Sequence, residues 1–162
     1  MIEKGLSYVE IVIMIAVISI FSGSVLFNYN TMRTESEVDS DVYLIISELR
    51  NSQVNALGLP IDEHNVCAAG VELDQMNNSI IQTYWREDIH GDCTERIQSL
   101  SDTYFLEYSR IQNAPDNVRF DVPFGHLKDD VTNAFPIRIT LEKGGVIQEI
   151  IIDEAGYISR DL

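Results

Sequence analysis

The sequence predicts an α+β fold, with a long N-terminal helix followed by a small antiparallel β domain. Three observations lead there. Ile11 to Phe27 contains no charged residue. A polar stretch follows in which Val38, Val42, Ile45, Leu49 and Ala56 recur at spacings of four, three, four and seven, the period of an amphipathic helix. Beyond Gly58 the period changes to two, in short runs separated by turns rich in Gly, Asn and Asp.

The helix is expected from Leu6 to Leu57, roughly 78 Å at 1.5 Å per residue. Its first part, 6–27, is 22 residues long, within the roughly 17–25 needed to span a bilayer. One acid, Glu10, lies in this part. An acid at the centre of a membrane helix costs about 2.5–3.5 kcal/mol. Near an end the cost is lower, yet it still asks for a partner cation. Ser22-Gly23-Ser24 is a candidate kink, or else a run of small residues facing neighbours. The second part, 28–57, carries the apolar stripe, with Glu35, Asp39, Asp41, Glu48 and Arg50 expected between its members. Gly58 and Pro60 form a stop signal, Gly as a left-handed cap and Pro as a block.

Strands are expected at Ala69–Leu73 and Ile80–Trp85, joined by a turn through Asp74 and Asn77-Asn78-Ser79. Tyr104 to Ile111 alternates weakly, and a loop at 113–117 leads into Val118–Val122, where Val118, Phe120 and Val122 share a face. Pro136–Leu141 directs Ile137, Ile139 and Leu141 inward. Gly144-Gly145 turns the chain back into Val146–Ile152. Asp153 to Gly156 turns it again into Tyr157–Ser159.

Charge and motif content exclude several functions. The net charge is −15, and Lys4, Lys128 and Lys143 are the only lysines. A chain this acidic repels nucleic acid and anionic lipid surfaces. His64, His90 and His126 stand in separate polar contexts. There is no G-x-S-x-G elbow, no phosphate-binding Gly loop and no H-E-x-x-H. No catalytic residue, metal site or cofactor is expected.

The N-terminus reads Lys4-Gly5-Leu6-Ser7, with Glu10 five residues after Gly5 and the apolar run directly behind. It resembles the signal sequence of type IV pilins and type II secretion pseudopilins. The resemblance implies cleavage by a prepilin peptidase between Gly5 and Leu6, methylation of the new N-terminus, and pairing of Glu10 with the N-terminal amine of a neighbouring subunit. Leu6 stands where the family usually has Phe. The second half adds to the likeness. Phe120-Asp-Val-Pro-Phe-Gly125, Ile137-Arg-Ile-Thr-Leu141, Gly144-Gly145, Gln148–Ile152 and Gly156-Tyr-Ile158 are similar to the C-terminal strands of H-type minor pseudopilins. The likeness does not extend to residues 62–97.

The resemblance implies four parts: a leader at 1–5, a transmembrane and filament-core helix at 6–27, its amphipathic continuation at 28–57, and a β domain at 58–162. It also implies a single-pass protein of the inner membrane with a cytoplasmic N-terminus. Its partners would be other pilin or pseudopilin subunits, the prepilin peptidase, the inner-membrane assembly platform, and lipid around 6–27. In the extracytoplasmic compartment so implied, Cys67 and Cys93 are expected as a disulfide rather than as two buried thiols. The acids Glu87, Asp88, Asp92 and Glu95 around Gly91 are expected as a solvated hairpin rather than a calcium loop, because the EF-hand spacing is missing. Competing readings are a secretory signal cut near Ser22-Gly23-Ser24, a membrane-anchored domain that never polymerises, and a DNA-uptake minor pilin reading through Arg138, Lys143 and Arg160.

Overall fold

The computed structural model describes residues 8–58, 66–88, 90–97, 102–122, 124, 127 and 135–161, and within the helix the side chains of 24–28 lie outside that description. The expected leader and its expected cleavage position, Gly5 and Leu6, therefore lie outside the described residues, as do His64, His126, Pro60 and Gly125. Contacts divide the chain into two units, 1–36 and 37–162.

The elements in chain order are α1 (Tyr8–Gly58), β1 (Val66–Asp74), β2 (Ser79–Glu87), β3 (Cys93–Arg96), β4 (Asp102–Phe105), β5 (Arg110–Asn113), β6 (Asn117–Asp121), β7 (Ile137–Lys143), β8 (Val146–Ile152) and β9 (Ile158–Asp161). This is an α+β protein. Helical structure runs through residues 22–24 and ends at Gly58. Gly58 is helical and not in the left-handed region, so the expected cap conformation is absent at Gly58.

In the first unit, the large apolar side chains from Tyr8 to Phe21 are between 44% and 81% exposed. Among the described residues, no helix is long and apolar enough to cross a membrane. The fully described part of the apolar run stops at Gly23, short of Phe27 where the uncharged sequence ends.

In the second unit the helix turns amphipathic. Val38, Val42, Ile45, Leu49 and Ala56 are fully buried, with Ile46 beside them. They form one core with Ala69, Val71, Ile80, Val118 and Phe120 from one sheet and Ile139, Leu141, Ile150 and Ile152 from another. The expected small sheet is thus two antiparallel sheets. The first runs β3-β2-β1-β6, with β4 also paired to β2, and the second runs β5-β7-β8-β9. The β1–β2 turn is tied by Asp74, whose Oδ1 accepts the N–H groups of Met76 and Asn77 at 2.9 Å each. Lys143 pairs with Val146 across a two-residue turn. Its Gly144 and Gly145 have φ of 57° and 85°, the primed-turn geometry that glycine adopts without steric cost.

Two expectations need correction. The weak alternation over Tyr104–Ile111 is not one strand but β4 and β5, which belong to different sheets. Leu106–Ser109 carries the chain from one to the other, and side chains far away in sequence hold it there. Asp41 on α1 accepts the N–H groups of Glu107 at 3.3 Å and Tyr108 at 3.0 Å, together with the N–H of Ser109 and its hydroxyl at 2.7 Å. Asn78 accepts the N–H of Ile111 at 3.0 Å and donates to the carbonyl of Ser109 at 2.6 Å. Second, Asp41 and Glu48, expected between the members of the apolar stripe, are themselves buried, at 3% and 9% exposure. Asp41 is satisfied by the loop it clamps, whereas among the described residues Glu48 Oε2, Ser52 Oγ and Gln82 Nε2 have no hydrogen-bond partner. The acidic turn around Gly91 is a hairpin with exposed acids, as expected, and Cys93–Arg96 forms its second strand, β3, on the edge of β2.

Candidate functional site

Glu10 lies in the first turn of α1, among the exposed side chains of Tyr8, Val9, Ile11, Val12 and Ile13. An acid in a first turn is favoured by the partial positive charge of the helix N-terminus. The neighbouring apolar surface has no comparable compensation. A helix that is apolar all round is covered in its working state by lipid or by protein. Among the described residues of the first unit nothing covers it.

The second unit carries a cross-linked outer face. Cys67 and Cys93 form a disulfide with Cα atoms 5.9 Å apart. Cys67 lies at an irregularity in the β1–β2 register, between Val66 and Ala68. The disulfide ties β3 to the start of β1. A small second core surrounds it, made by Ala68, Trp85 and Cys93 with Cys67 packed alongside. The Arg119 guanidinium stands 4.9 Å from the centre of the Trp85 ring, and its Nη1 donates to the carbonyl of Cys93 at 3.0 Å. Gly70 makes this possible. A Cβ there would overlap the Val118 carbonyl oxygen and press on the Trp85 ring. Neither Arg119 nor Gly70 was singled out by sequence reasoning. A glycine inside an alternating strand was the available signal, since it often marks close approach of a neighbouring backbone.

The acidic loop is organised around one carboxylate. Asp88 Oδ1 accepts the N–H groups of His90 at 2.8 Å and Asp92 at 3.0 Å, while Oδ2 accepts the Thr94 hydroxyl at 3.2 Å. The backbone N–H of Asp92, then that of His90, hold the Asp88 carboxyl below its ordinary range. Glu95 is paired with Arg86 and lowered by it. These two acids are thus occupied within their own hairpin. Among the described residues no group of three or more His, Cys, Asp or Glu is placed to hold a metal ion.

The three cations of the DNA-uptake reading are each tied to an acid. Arg138 meets Glu149 at 2.7 Å, Lys143 meets Glu37 at 2.6 Å, and Arg160 meets Asp39 at 2.7 Å. Lys143 also lies 5.2 Å from the centre of the Tyr108 ring. Two of these pairs, together with Gln148 donating to Asp39 at 2.5 Å, fasten the second sheet to residues 37 and 39 of α1. The available signal was the cluster of acids at 35–41, which in sequence only lies among the members of the apolar stripe.

Compared with known proteins, the chain has no matching family model, no matching curated protein and no matching solved structure.

Proposed function

We propose that this chain is a minor pilin or pseudopilin, an assembly subunit without catalytic activity. In this reading α1 enters the lipid and then a filament core through residues 6–27, and the β domain faces outward. The observation that carries it is the division of labour along one helix. The segment up to Phe21 exposes apolar side chains on all sides, and its acid sits in the first turn. From Val38 onward the same helix buries one stripe beneath two sheets. The Lys4-Gly5-Leu6 signal lies immediately ahead of the exposed segment. The disulfide supports an extracytoplasmic β domain, since such bonds persist in oxidising compartments. Ion pairing of Arg138, Lys143 and Arg160 favours this reading over DNA uptake, because phosphate binding needs free cations.

Glu10→Ala tests it. Removing a charge from an apolar segment leaves insertion intact. It strands the amine of a neighbouring subunit in a poorly screened setting, where loss of one partner is costly. The mutant should therefore reach the membrane at wild-type level and fail to co-assemble with its partner subunits. Incorporation equal to wild type would refute the proposal.

A further inference from the structure

We propose that the outward face of α1 from Ser40 to Leu57 is a docking seam for an amphipathic helix of a different protein, one that places a carboxylate opposite Arg50. The residues are Ser40, Tyr43, Ser47, Arg50, Val54 and Leu57, and all six are exposed. Their spacing alternates three and four, the repeat of a helix that packs along another helix. This is not the buried stripe, which runs through Val38, Val42, Ile45, Leu49 and Ala56. Tyr43, Val54 and Leu57 are 62%, 62% and 56% exposed. An ordinary solvated helix face is polar. Ser40 and Ser47 are small enough for a partner to approach closely, and the Ser47 hydroxyl is turned back onto the Leu44 carbonyl at 2.8 Å. A shallow groove lined by Tyr43, Ile46, Ser47, Arg50, Asn51 and Val54 follows the seam. On the other side of Arg50 stand Gln53, Gly156 and Tyr157, the last 70% exposed.

Charge selects the occupant. Arg50 has no ion-pair partner among the described residues, unlike Arg86, Arg96, Arg138, Lys143 and Arg160. Arg50 stands among Tyr43, Val54 and Tyr157 together with the polar Ser47, Asn51 and Gln53, and Arg and Tyr are the residue types that interface hot spots favour. A second copy of this chain offers no acid on the same seam, and two chains of charge −15 repel each other. The partner is therefore a different chain, with apolar residues at the same spacing and an Asp or Glu among them. The inference draws only on the second unit and stands whether or not the leader is cleaved.

The test places a photo-cross-linking side chain at Ser47 or Val54 of the full-length chain in its native membrane. Met76, 97% exposed in the β1–β2 turn, is the off-seam control. The cross-linked peptide is then sequenced. Both seam probes should join the same helix of another protein, within one turn of an Asp or Glu, and the Met76 probe should not. Arg50→Glu should lower the yield about tenfold or more, the size of a hot-spot loss. Exchanging the partner's acid for Lys should restore it. Cross-links only to a second copy or to lipid, none above the Met76 control, or a yield unmoved by Arg50→Glu would overturn the proposal.

Discussion

Replacing Asp41 by Ala should be among the most damaging single changes in the second unit. The carboxylate is 3% exposed and accepts four hydrogen bonds from the segment that carries the chain between the two sheets. These donors do not suffer equally. Glu107 and Tyr108 lie at the surface, so their N–H groups can turn to water. Ser109 is 2% exposed, and its N–H and hydroxyl are stranded. Each stranded buried donor costs about 1–3 kcal/mol, so the loss from the two is about 2–6 kcal/mol. For a domain of this size that corresponds to a fall in Tm on the order of 10 °C. Asn at this position keeps an oxygen for Tyr108 and Ser109 but turns an NH2 group toward the more distant N–H of Glu107, so it should cost about 1–2 kcal/mol. The assay is urea and thermal unfolding of a chain beginning at residue 31, which retains the whole second unit. An Asp41→Ala loss within about 1 kcal/mol, well below the stranding cost, would refute the clamp.

Four further outcomes follow from the same contacts. Glu48→Leu should leave stability unchanged or raise it, because it removes a buried acid with an unsatisfied oxygen; a loss as large as that of Asp41→Ala would show a missed partner. Gly70→Ala should lower Tm and shift Trp85 fluorescence, since the new methyl forces β6 and the ring away from β1; an unchanged spectrum at wild-type stability would contradict the packing. The Cys67→Ser, Cys93→Ser double variant should lose about 2–5 kcal/mol, read by denaturation against the oxidised wild type. Asp74 is held low mainly by the N–H of Asn77, and Asp88 by that of Asp92. A folded pKa below the unfolded one stabilises above the ordinary aspartate value of 3.8 and loses that contribution as pH falls through the folded value. Asp74→Asn with Asp88→Asn should therefore flatten the loss of stability below about pH 4, and an acid limb identical to wild type would count against both turns.

How much of this was legible in the sequence differs by element. The stripe Val38-Val42-Ile45-Leu49-Ala56 was legible because burial on a helix follows the 3.6-residue period. The β7–β8 hairpin was legible because two glycines in a row permit the turn. What escaped was set by contacts between distant parts of the chain. The burial of Asp41 and Glu48 escaped because nothing local separates a carboxylate that clamps a loop from one that faces water. The break between β4 and β5 is enforced by Asp41 and Asn78, which lie far from it in sequence. β3 carries only one buried residue, Cys93, so it has no alternation to detect. The acids Glu37 and Asp39 gave no sign that they would meet Lys143 and Arg160 more than a hundred residues later. The proposed leader and the proposed role of Glu10 are the reverse case, since they rest on order along the chain rather than on contacts within it.

The account turns on how the N-terminus is processed. Mass spectrometry of the protein from the membrane fraction measures this directly. The mature chain should begin at Leu6, five residues shorter than the precursor and carrying one methyl group on its amine, and Gly5→Val should leave the precursor uncut. A chain that keeps Met1, or one that begins near Ser24 as an ordinary secretory signal would leave it, would contradict the assignment.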